Sequence, residues 1–508
     1  MFINPVIPGF YPDPSICRVG EDYYLVTSSF EYFPGVPIFH SRDLINWRQI
    51  GHCLTRSSQV NLLNSRSSKG IYAPTIRYHQ GKFYMVTTNV SDCGNFYVWT
   101  SDPTGEWSDP ILVDQGGIDP SLLFDDDGKV YFTSNGYEEG LGIYQCEIDI
   151  ATGIKLSPTR KIWGGTGGAY PEAPHLYNIA GTYYLMIAEG GTEYGHMETI
   201  ARSNSPYGPF ESCPQNPILT HRSVDSPIQA TGHADLVQAH DGSWWAVFLG
   251  IRPIVYPPRH HLGRETFLAP VTWTEDGWPV IGNNGRVDLQ MDVPTLPQVP
   301  WPLTASRDDF DEEKLGLEWN FLNNGEERDW SLKERTGWLR LYGSAEALKD
   351  TGHVTFVGRR QQHFNCAATT KLEFGPSQDG EEAGITVLMN HRFHYDLAVV
   401  RVNGERCLLF RRQLGDLIKE ELTPIPGAQA VQLSVEADIE HYVFSYLLGN
   451  GDKVIIGKGE CGTLSKEVAG GYTGVYFGLY ATGKGRRCSV PADFGWFEYR
   501  DGSGDPLI

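Results

Sequence analysis

The chain of 508 residues has nine cysteines but no Cys-x-x-Cys pair, and it has no apolar run approaching the ~18 residues of a membrane-spanning helix. The first absence, with an odd cysteine number, excludes the usual zinc and dithiol motifs and gives no disulfide framework. The second excludes a helical membrane span. Met1 leads straight to Asn4-Pro5 with no basic-then-apolar segment, so the expectation is a cytoplasmic, reduced protein. Positive charge is also short: 41 Lys and Arg stand against 62 Asp and Glu, a net charge of −21. Such a surface repels nucleic acid and anionic membranes, which leaves a neutral substrate as the expected partner. Several chemical signatures are missing too. Gly164–Gly168 is followed by neither Lys-Ser/Thr nor a helix, which excludes a phosphate loop. Arg259-His260-His261 lacks the spacing of a metal site, and there is no Gly-x-Ser-x-Gly nucleophile elbow.

Five copies of one short pattern are present. A head of the type Pro-Asp-Pro-Ser is followed by a tight turn and a returning apolar strand. The heads are anchored on Pro14, Pro74, Pro120, Pro174 and Ala234, spaced 60, 46, 54 and 60 residues apart. A strand-built repeat of roughly 40–60 residues predicts a β-propeller with one copy per blade. Helical periodicity is lacking up to about residue 290. Residues 293–305 carry four prolines in thirteen and read as an extended linker. Beyond it, short strand-like runs such as Ala367–Phe374, Ala383–Met389, Tyr395–Val402 and Val431–Ala437 predict a second all-β unit, a two-sheet sandwich. The expected organisation is all-β: a five-bladed propeller over 1–292, a linker over 293–305 and a jelly-roll-like sandwich over 306–508.

The repeats differ at their heads. Asp13, Asp119 and Glu172 are acidic and His233 occupies the corresponding place in the fifth copy. Inner strands of a propeller line its axis, so these four residues are predicted to meet at one end of it. A single Asp-Pro is usually a turn, because Asp bonds nearby amides and Pro presets φ. Three acids at like places carry more weight. They suit acid–base hydrolysis of a glycosidic bond, with one carboxyl protonated, one ionised, and a third raising the acid's pKa. Residue reasoning leaves their order open. His233 is equally a ligand or a packed blade histidine. Arg264 taken alone reads first as a surface ion pair, and Phe30, Phe33 and Tyr72 as core aromatics.

Longer stretches then add a resemblance. Pro12-Asp13-Pro14-Ser15, Phe33-Pro34-Gly35-Val36-Pro37, Ile118-Asp119-Pro120-Ser121, Glu172-Ala173-Pro174-His175, Ala188-Glu189-Gly190-Gly191-Thr192, Gly232-His233-Ala234-Asp235 and Leu262-Gly263-Arg264-Glu265 resemble glycoside hydrolase family 43. The similar group is the β-xylosidases and α-L-arabinofuranosidases with a C-terminal β-sandwich, and Asp308-Asp309-Phe310 and Pro491-Ala492-Asp493-Phe494 extend the likeness past the linker. The resemblance implies an inverting exo-glycosidase that releases xylose or L-arabinofuranose from xylo-oligosaccharides or arabinoxylan fragments. It implies Asp13 as general base, Glu172 as general acid and Asp119 as modulator of the acid's pKa. It implies Phe30, Tyr72, His233, Arg264 and Tyr472 as substrate-binding residues, Tyr472 on a sandwich loop reaching the pocket mouth. No cofactor is implied for the chemistry; a calcium ion linked indirectly to His233 is carried as an option. Expected partners are a pentose oligosaccharide and, as an open alternative, further copies of the chain. Tyr72 departs from a tryptophan found in some close members, and this bears on the choice between the two sugars. A propeller lectin with relic acids is the alternative from the binding class. A retaining fructosyl hydrolase is disfavoured, since Ile118 stands where an arginine would precede Asp119-Pro120.

Overall fold

The computed structural model describes all residues except 293–294, 303–304, 428 and 503–508. The repeat pattern folds into five antiparallel sheets, each with a path of four strands in chain order; the fourth sheet carries a fifth short strand, Leu219–Thr220, beside Met197–Ser203. Their first strands are Ser15–Val19, Thr75–His79, Ser121–Phe124, Glu172–Ile179 and Gln229–Gln238, and these pack against one another around the axis. The tight turns foreseen after the first strands are present: Ser15–Val19 pairs with Asp22–Val26, and Ser121–Phe124 with Val130–Gly136. The apolar alternation of these strands fills the wedges between blades. Ile38, Leu54, Met85 and Val98 pack blade one on blade two, and Val86, Leu122, Phe132 and Cys146 pack blade two on blade three. The ring closes through the N-terminal residues. Phe2–Ile3 pairs with Gln290–Met291, and the Asn4 amide brackets Leu268 by donating to its carbonyl and accepting from its N–H, both at 2.9 Å.

A polar clasp joins the inner strands along the axis. Asp235 accepts from the Ser15 hydroxyl (2.6 Å), the Tyr177 hydroxyl (2.6 Å), the Ile16 N–H (3.0 Å) and two nitrogens of Arg77 (2.8 and 3.2 Å). Blades one, two, four and five are joined by this one carboxylate. Arg77 also meets His175 Nδ1 at 2.9 Å.

The second unit is a sandwich of two antiparallel eight-stranded sheets around an apolar core that includes Leu339, Ile385, Leu397, Phe410, Leu433, Phe444, Phe477 and Phe494. The strands expected at 367–374, 383–389 and 431–437 occur as Cys366–Glu373, Glu382–Asn390 and Val431–Ala437. One edge of a sandwich sheet is supplied by the propeller: Tyr32–Phe33 pairs with Asn320–Leu322. That pairing covers an otherwise open strand edge. Phe10 and Tyr32 of the propeller pack with Phe356, Tyr476 and Tyr480 of the sandwich. Tyr32 and Tyr476 stack with centroids 4.0 Å apart, and buried Arg360 donates to the Phe10 carbonyl at 2.7 Å. The segment 295–302 lies along blade one, with Val299 N–H on Asp43 (2.7 Å) and Trp301 Nε1 on the Asn46 carbonyl (3.0 Å). Residues 293–294 and 303–304 of the expected linker lie outside the described residues.

Candidate active site

A cavity of about 440 Å³ opens at the repeat heads. Asp13, Phe30, Tyr72, Asp119, Glu172, His233, Arg264 and Tyr472 all line it. The repeat heads present their side chains there through an uncommon backbone conformation. Asp13, Asp119, Ala173 and His233 each directly precede the anchor residue, and each has a positive φ between 52° and 56°. Non-glycine residues avoid this region, and where they adopt it the surrounding structure must hold them. Asp119 illustrates how. Asn135 clamps the preceding residue, its side chain accepting from Ile118 N–H (2.8 Å) and its backbone N–H donating to the Ile118 carbonyl (3.1 Å). Gly117 makes that approach possible, since a Cβ there would sit 1.7 Å from the Asn135 carbonyl oxygen. The sequence treated the three acids as equivalent, but Glu172 stands one place earlier than the two aspartates. Ala173 takes the left-handed position in its repeat, and Glu172 begins the extended strand Glu172–Ile179.

The three carboxyls occupy different electrostatic settings. Asp13 is buried, which alone would raise its pKa. Arg264 overrides this with Nη1 at 2.5 Å and Nη2 at 3.3 Å, helped by His233 and by the Ser28 hydroxyl at 2.5 Å. The net effect holds Asp13 below the usual carboxylate range, so it is ionised. Burial followed by the Asp13 charge pushes Glu172 up to about 7. Burial, then Glu172 and Asp13, push Asp119 upward as well, against the 3.2 Å hydrogen bond it accepts from Ala173 N–H. Asp119 and Glu172 act as a pair that retains a proton at neutral pH while Asp13 is charged. Burial lowers the His233 pKa against the opposing pull of Asp13, which lies 3.6 Å from its Nδ1.

Arg264 corrects the surface-pair reading: it is buried and bound to Asp13. Phe30 stacks on Tyr472 at 6.1 Å and 27°, and lies 5.2 Å from Tyr72. Tyr472 reaches the cavity from the sandwich. Its N–H donates to Ser68 Oγ (2.8 Å), and nearby Lys466 donates to the Thr192 carbonyl (2.6 Å) and to Glu193 (3.1 Å). Glu467 adds His260 Nδ1 (2.7 Å) and Tyr194 OH (3.0 Å). Sequence reasoning missed Tyr137, Tyr170, Thr192 and Glu193 on the cavity rim, and Ser28 beneath Asp13. Tyr170 stands two residues before Glu172, which is the one local signal. Phe33, weighed as a stacking aromatic, is instead in the strand that joins the sandwich.

The motifs set aside on sequence have structural uses. Amides of the glycine run are taken by buried Glu189, from Thr166 (3.0 Å) and Gly168 (2.9 Å). A calcium ion takes 6–8 oxygens; beside His233, the buried Glu198 accepts from Ala234 N–H at 3.0 Å and keeps its other oxygen without a partner. The Asp13 carboxylate there is already paired with Arg264. Among the described residues, three His, Cys, Asp or Glu ligand atoms converge only at Glu326, Asp329 and His353 in the sandwich, where Arg487 already neutralises Asp329.

One ionised carboxylate facing a proton-retaining carboxyl pair, in a sugar-sized pocket walled by aromatics, defines a glycoside hydrolase. Residues 2–279 match the family described as glycosyl hydrolases family 43, and residues 307–500 match the β-xylosidase C-terminal concanavalin A-like domain. The chain belongs to glycoside hydrolase family 43. It is 47% identical over 507 residues to the non-reducing end α-L-arabinofuranosidase BoGH43B of Bacteroides ovatus, covering 98% of this chain and 94% of that one. A β-xylosidase of Bacillus subtilis is 34% identical, with 98% and 99% covered. Among solved structures, the GH43B of a Bacteroides ovatus xyloglucan locus superposes with a TM-score of 0.95 at 46% identity, covering 98% and 99%. A xylan β-1,4-xylosidase from Bacillus halodurans gives 0.94 at 36%, covering 99% and 100%.

Proposed function

We propose that the protein is an inverting exo-glycosidase that removes xylose and L-arabinofuranose from the non-reducing ends of xylo-oligosaccharides and arabinoxylan fragments. Asp13 is assigned as the general base, Glu172 as the general acid and Asp119 as the group that keeps the acid protonated. The observation that carries this is the charge asymmetry of the pocket. Arg264, His233 and Ser28 hold Asp13 ionised, while burial and the Asp13 charge hold Glu172 near pH 7. In the proposed reaction Asp13 draws a proton from a water as its oxygen attacks the anomeric carbon. Glu172 gives its proton to the leaving oxygen as the glycosidic bond breaks. The resulting charges are reset by solvent exchange.

The aromatic wall of Phe30, Tyr72 and Tyr472 supports a terminal sugar ring, since such faces stack on the C–H side of a pyranose or furanose. Tyr472, with the loop pinned by Lys466 and Glu467, closes one side of the pocket, which favours attack at chain ends. Relatives named for each of the two sugars support a pocket that takes both. Turnover on aryl β-D-xyloside and aryl α-L-arabinofuranoside tests this. Activity on both is expected; binding of either without turnover would favour the lectin reading and reject this one. No step is routed through a metal, and the rate is expected not to change with a chelator or added calcium. We place the enzyme in the cytoplasm, acting on imported oligosaccharides. Nine unpaired cysteines suit a reducing compartment, and cell fractionation tests it.

A further inference from the structure

The outer face of one sandwich sheet carries polar residues in ordered rows. Across the strands Phe393–Val402, Glu405–Leu414 and Leu417–Pro424, His394, Gln413 and Ile418 are direct cross-strand partners. Two residues further on, Asp396, Arg411 and Glu420 form the next row. The alternate residues, Tyr395, Leu397, Phe410 and Leu408, point into the sandwich core, so both rows face outward. A cavity of about 290 Å³ lies over them, roofed by Leu348 and Asp350 on one side and Lys484 on the other. That volume lies near the lower end of small-molecule sites, roughly 300 Å³.

Two side chains on this floor are unsatisfied although they are almost fully buried. His394 is 1% exposed and Gln413 is 5% exposed. His394 Nδ1 is held by Asp396 at 2.9 Å, which leaves Nε2 without a partner. Gln413 donates through Nε2 to the Gly415 carbonyl at 2.7 Å, which leaves Oε1 without a partner. Flipping that amide would set two carbonyls together, so the free atom is the oxygen. Buried polar atoms of this kind cost about 1–3 kcal/mol each when unpaired. Both residues line the cavity while the free atoms themselves are covered, so a polar guest reaches them as the two side chains turn toward it.

The guest's chemistry follows from the free atoms. Gln413 Oε1 accepts only. His394 Nε2 accepts in the neutral ring and donates in the imidazolium. A hydroxyl serves both, because it donates and accepts. An anion is disfavoured: Arg411 is already bound by Glu382 (2.7 Å on two nitrogens), Asp396 (2.8 Å) and Glu420 (2.8 Å). Lys484 is likewise paired to Glu382 at 2.7 Å. We propose that this face of the sandwich is a second carbohydrate site, which takes a neutral sugar residue of a pentosan through hydroxyl contacts to His394 and Gln413. Leu348 and Ile418 supply the apolar contact. Such a site would keep a polymeric substrate near the propeller pocket and raise its local concentration. The choice of pentosan rests on the propeller reading; the site itself does not.

Two experiments test it. Crystals of the full chain carrying Glu172→Gln are soaked in xylobiose. Sugar density is expected with hydroxyls about 2.6–3.2 Å from His394 Nε2 and Gln413 Oε1; ordered water alone would overturn the proposal. Affinity electrophoresis in gels containing arabinoxylan then compares wild type with Gln413→Leu and His394→Ala. Retardation is expected to weaken about tenfold in both variants, from loss of a desolvated hydrogen bond, with turnover of aryl β-xyloside unchanged. Equal retardation of wild type and variants would overturn it, as would equal retardation by a β-glucan for the pentosan assignment. Should neither variant fold, the soaked crystal decides. Sugar in the sandwich of a protein that fails to turn over either aryl pentoside would leave this site standing while the propeller reading falls.

Discussion

Asp235 and Asp13 come from the heads of neighbouring propeller repeats, each buried and each paired with an arginine, and Asp235 bonds Ser15 and Ile16, two and three residues on from Asp13. Asp235 receives five donors, which fill the lone-pair positions of a carboxylate. It joins four blades. Asp13 receives the Ser28 hydroxyl and the Arg264 guanidinium and keeps its remaining face toward the pocket. The fully satisfied pair can only stabilise. The partly satisfied pair holds a charge ready beside a space that admits water and sugar. What separates structure from chemistry here is how many lone pairs the fold leaves over.

The comparison can be broken from either side. The largest effect is expected on activity: Asp13→Ala and Glu172→Ala each should lower kcat by at least ~10²–10⁴, the usual contribution of a general acid or base. Thermal unfolding of Glu172→Ala should stay close to that of wild type, whereas Asp13→Ala also strands the buried Arg264 and should melt earlier; wild-type-like rates in either would reject the assignment. Asp235→Ala should do the reverse. It removes the fully buried partner of the half-buried Arg77 and should cost about 3 kcal/mol in denaturant melts. The pKa of Asp235 lies far below its unfolded value, after burial, because of Arg77, His175 and Ser15. Its contribution is therefore complete above the unfolded pKa of ~3.9 and is lost as pH falls through the folded pKa. Melts of wild type in strong acid, set against Asp235→Asn, check this sign.

Smaller effects sharpen the same contrast. The pH–rate profile should fall on the alkaline side near 7, as the Asp119–Glu172 pair loses its proton, and on the acid side below the usual carboxylate range, as Asp13 gains one. Arg264→Met removes the charge that outweighs burial, so the acid limb should move to higher pH. Asp119→Asn removes the coupling in the pair, so the alkaline limb should move to lower pH. An unmoved limb in either variant would detach that residue from its role. The smallest change is expected from Tyr72→Trp, which enlarges the stacking face and should alter the ratio of xyloside to arabinofuranoside turnover severalfold with little change in fold.

The repeat made most of this legible. Period and turn chemistry are local, so five blades and the convergence of Asp13, Asp119 and His233 could be read from spacing alone. The one-residue offset of Glu172 was visible in the letters, but its meaning depends on the left-handed backbone at Ala173, which spacing does not report. Arg264 was misread because an isolated arginine carries no local sign of burial; its partner is 251 residues away. Tyr137, Tyr170 and Glu193 sit on loops that follow no period. In the sandwich, Cys366–Glu373 and Val431–Ala437 alternate cleanly, whereas Leu417–Pro424 and Val454–Glu460 are exposed edge strands with little apolar pattern to reveal them. The Tyr32–Phe33 strand could not have been foreseen, because its partner belongs to the other unit.

The most direct test follows the first sugar released from aryl β-D-xyloside by proton NMR before mutarotation sets in. Water activated by Asp13 on the face opposite Glu172 predicts α-xylose as the first product. β-Xylose appearing first would mean a covalent intermediate on a carboxylate, and would contradict the division of labour assigned to Asp13 and Glu172.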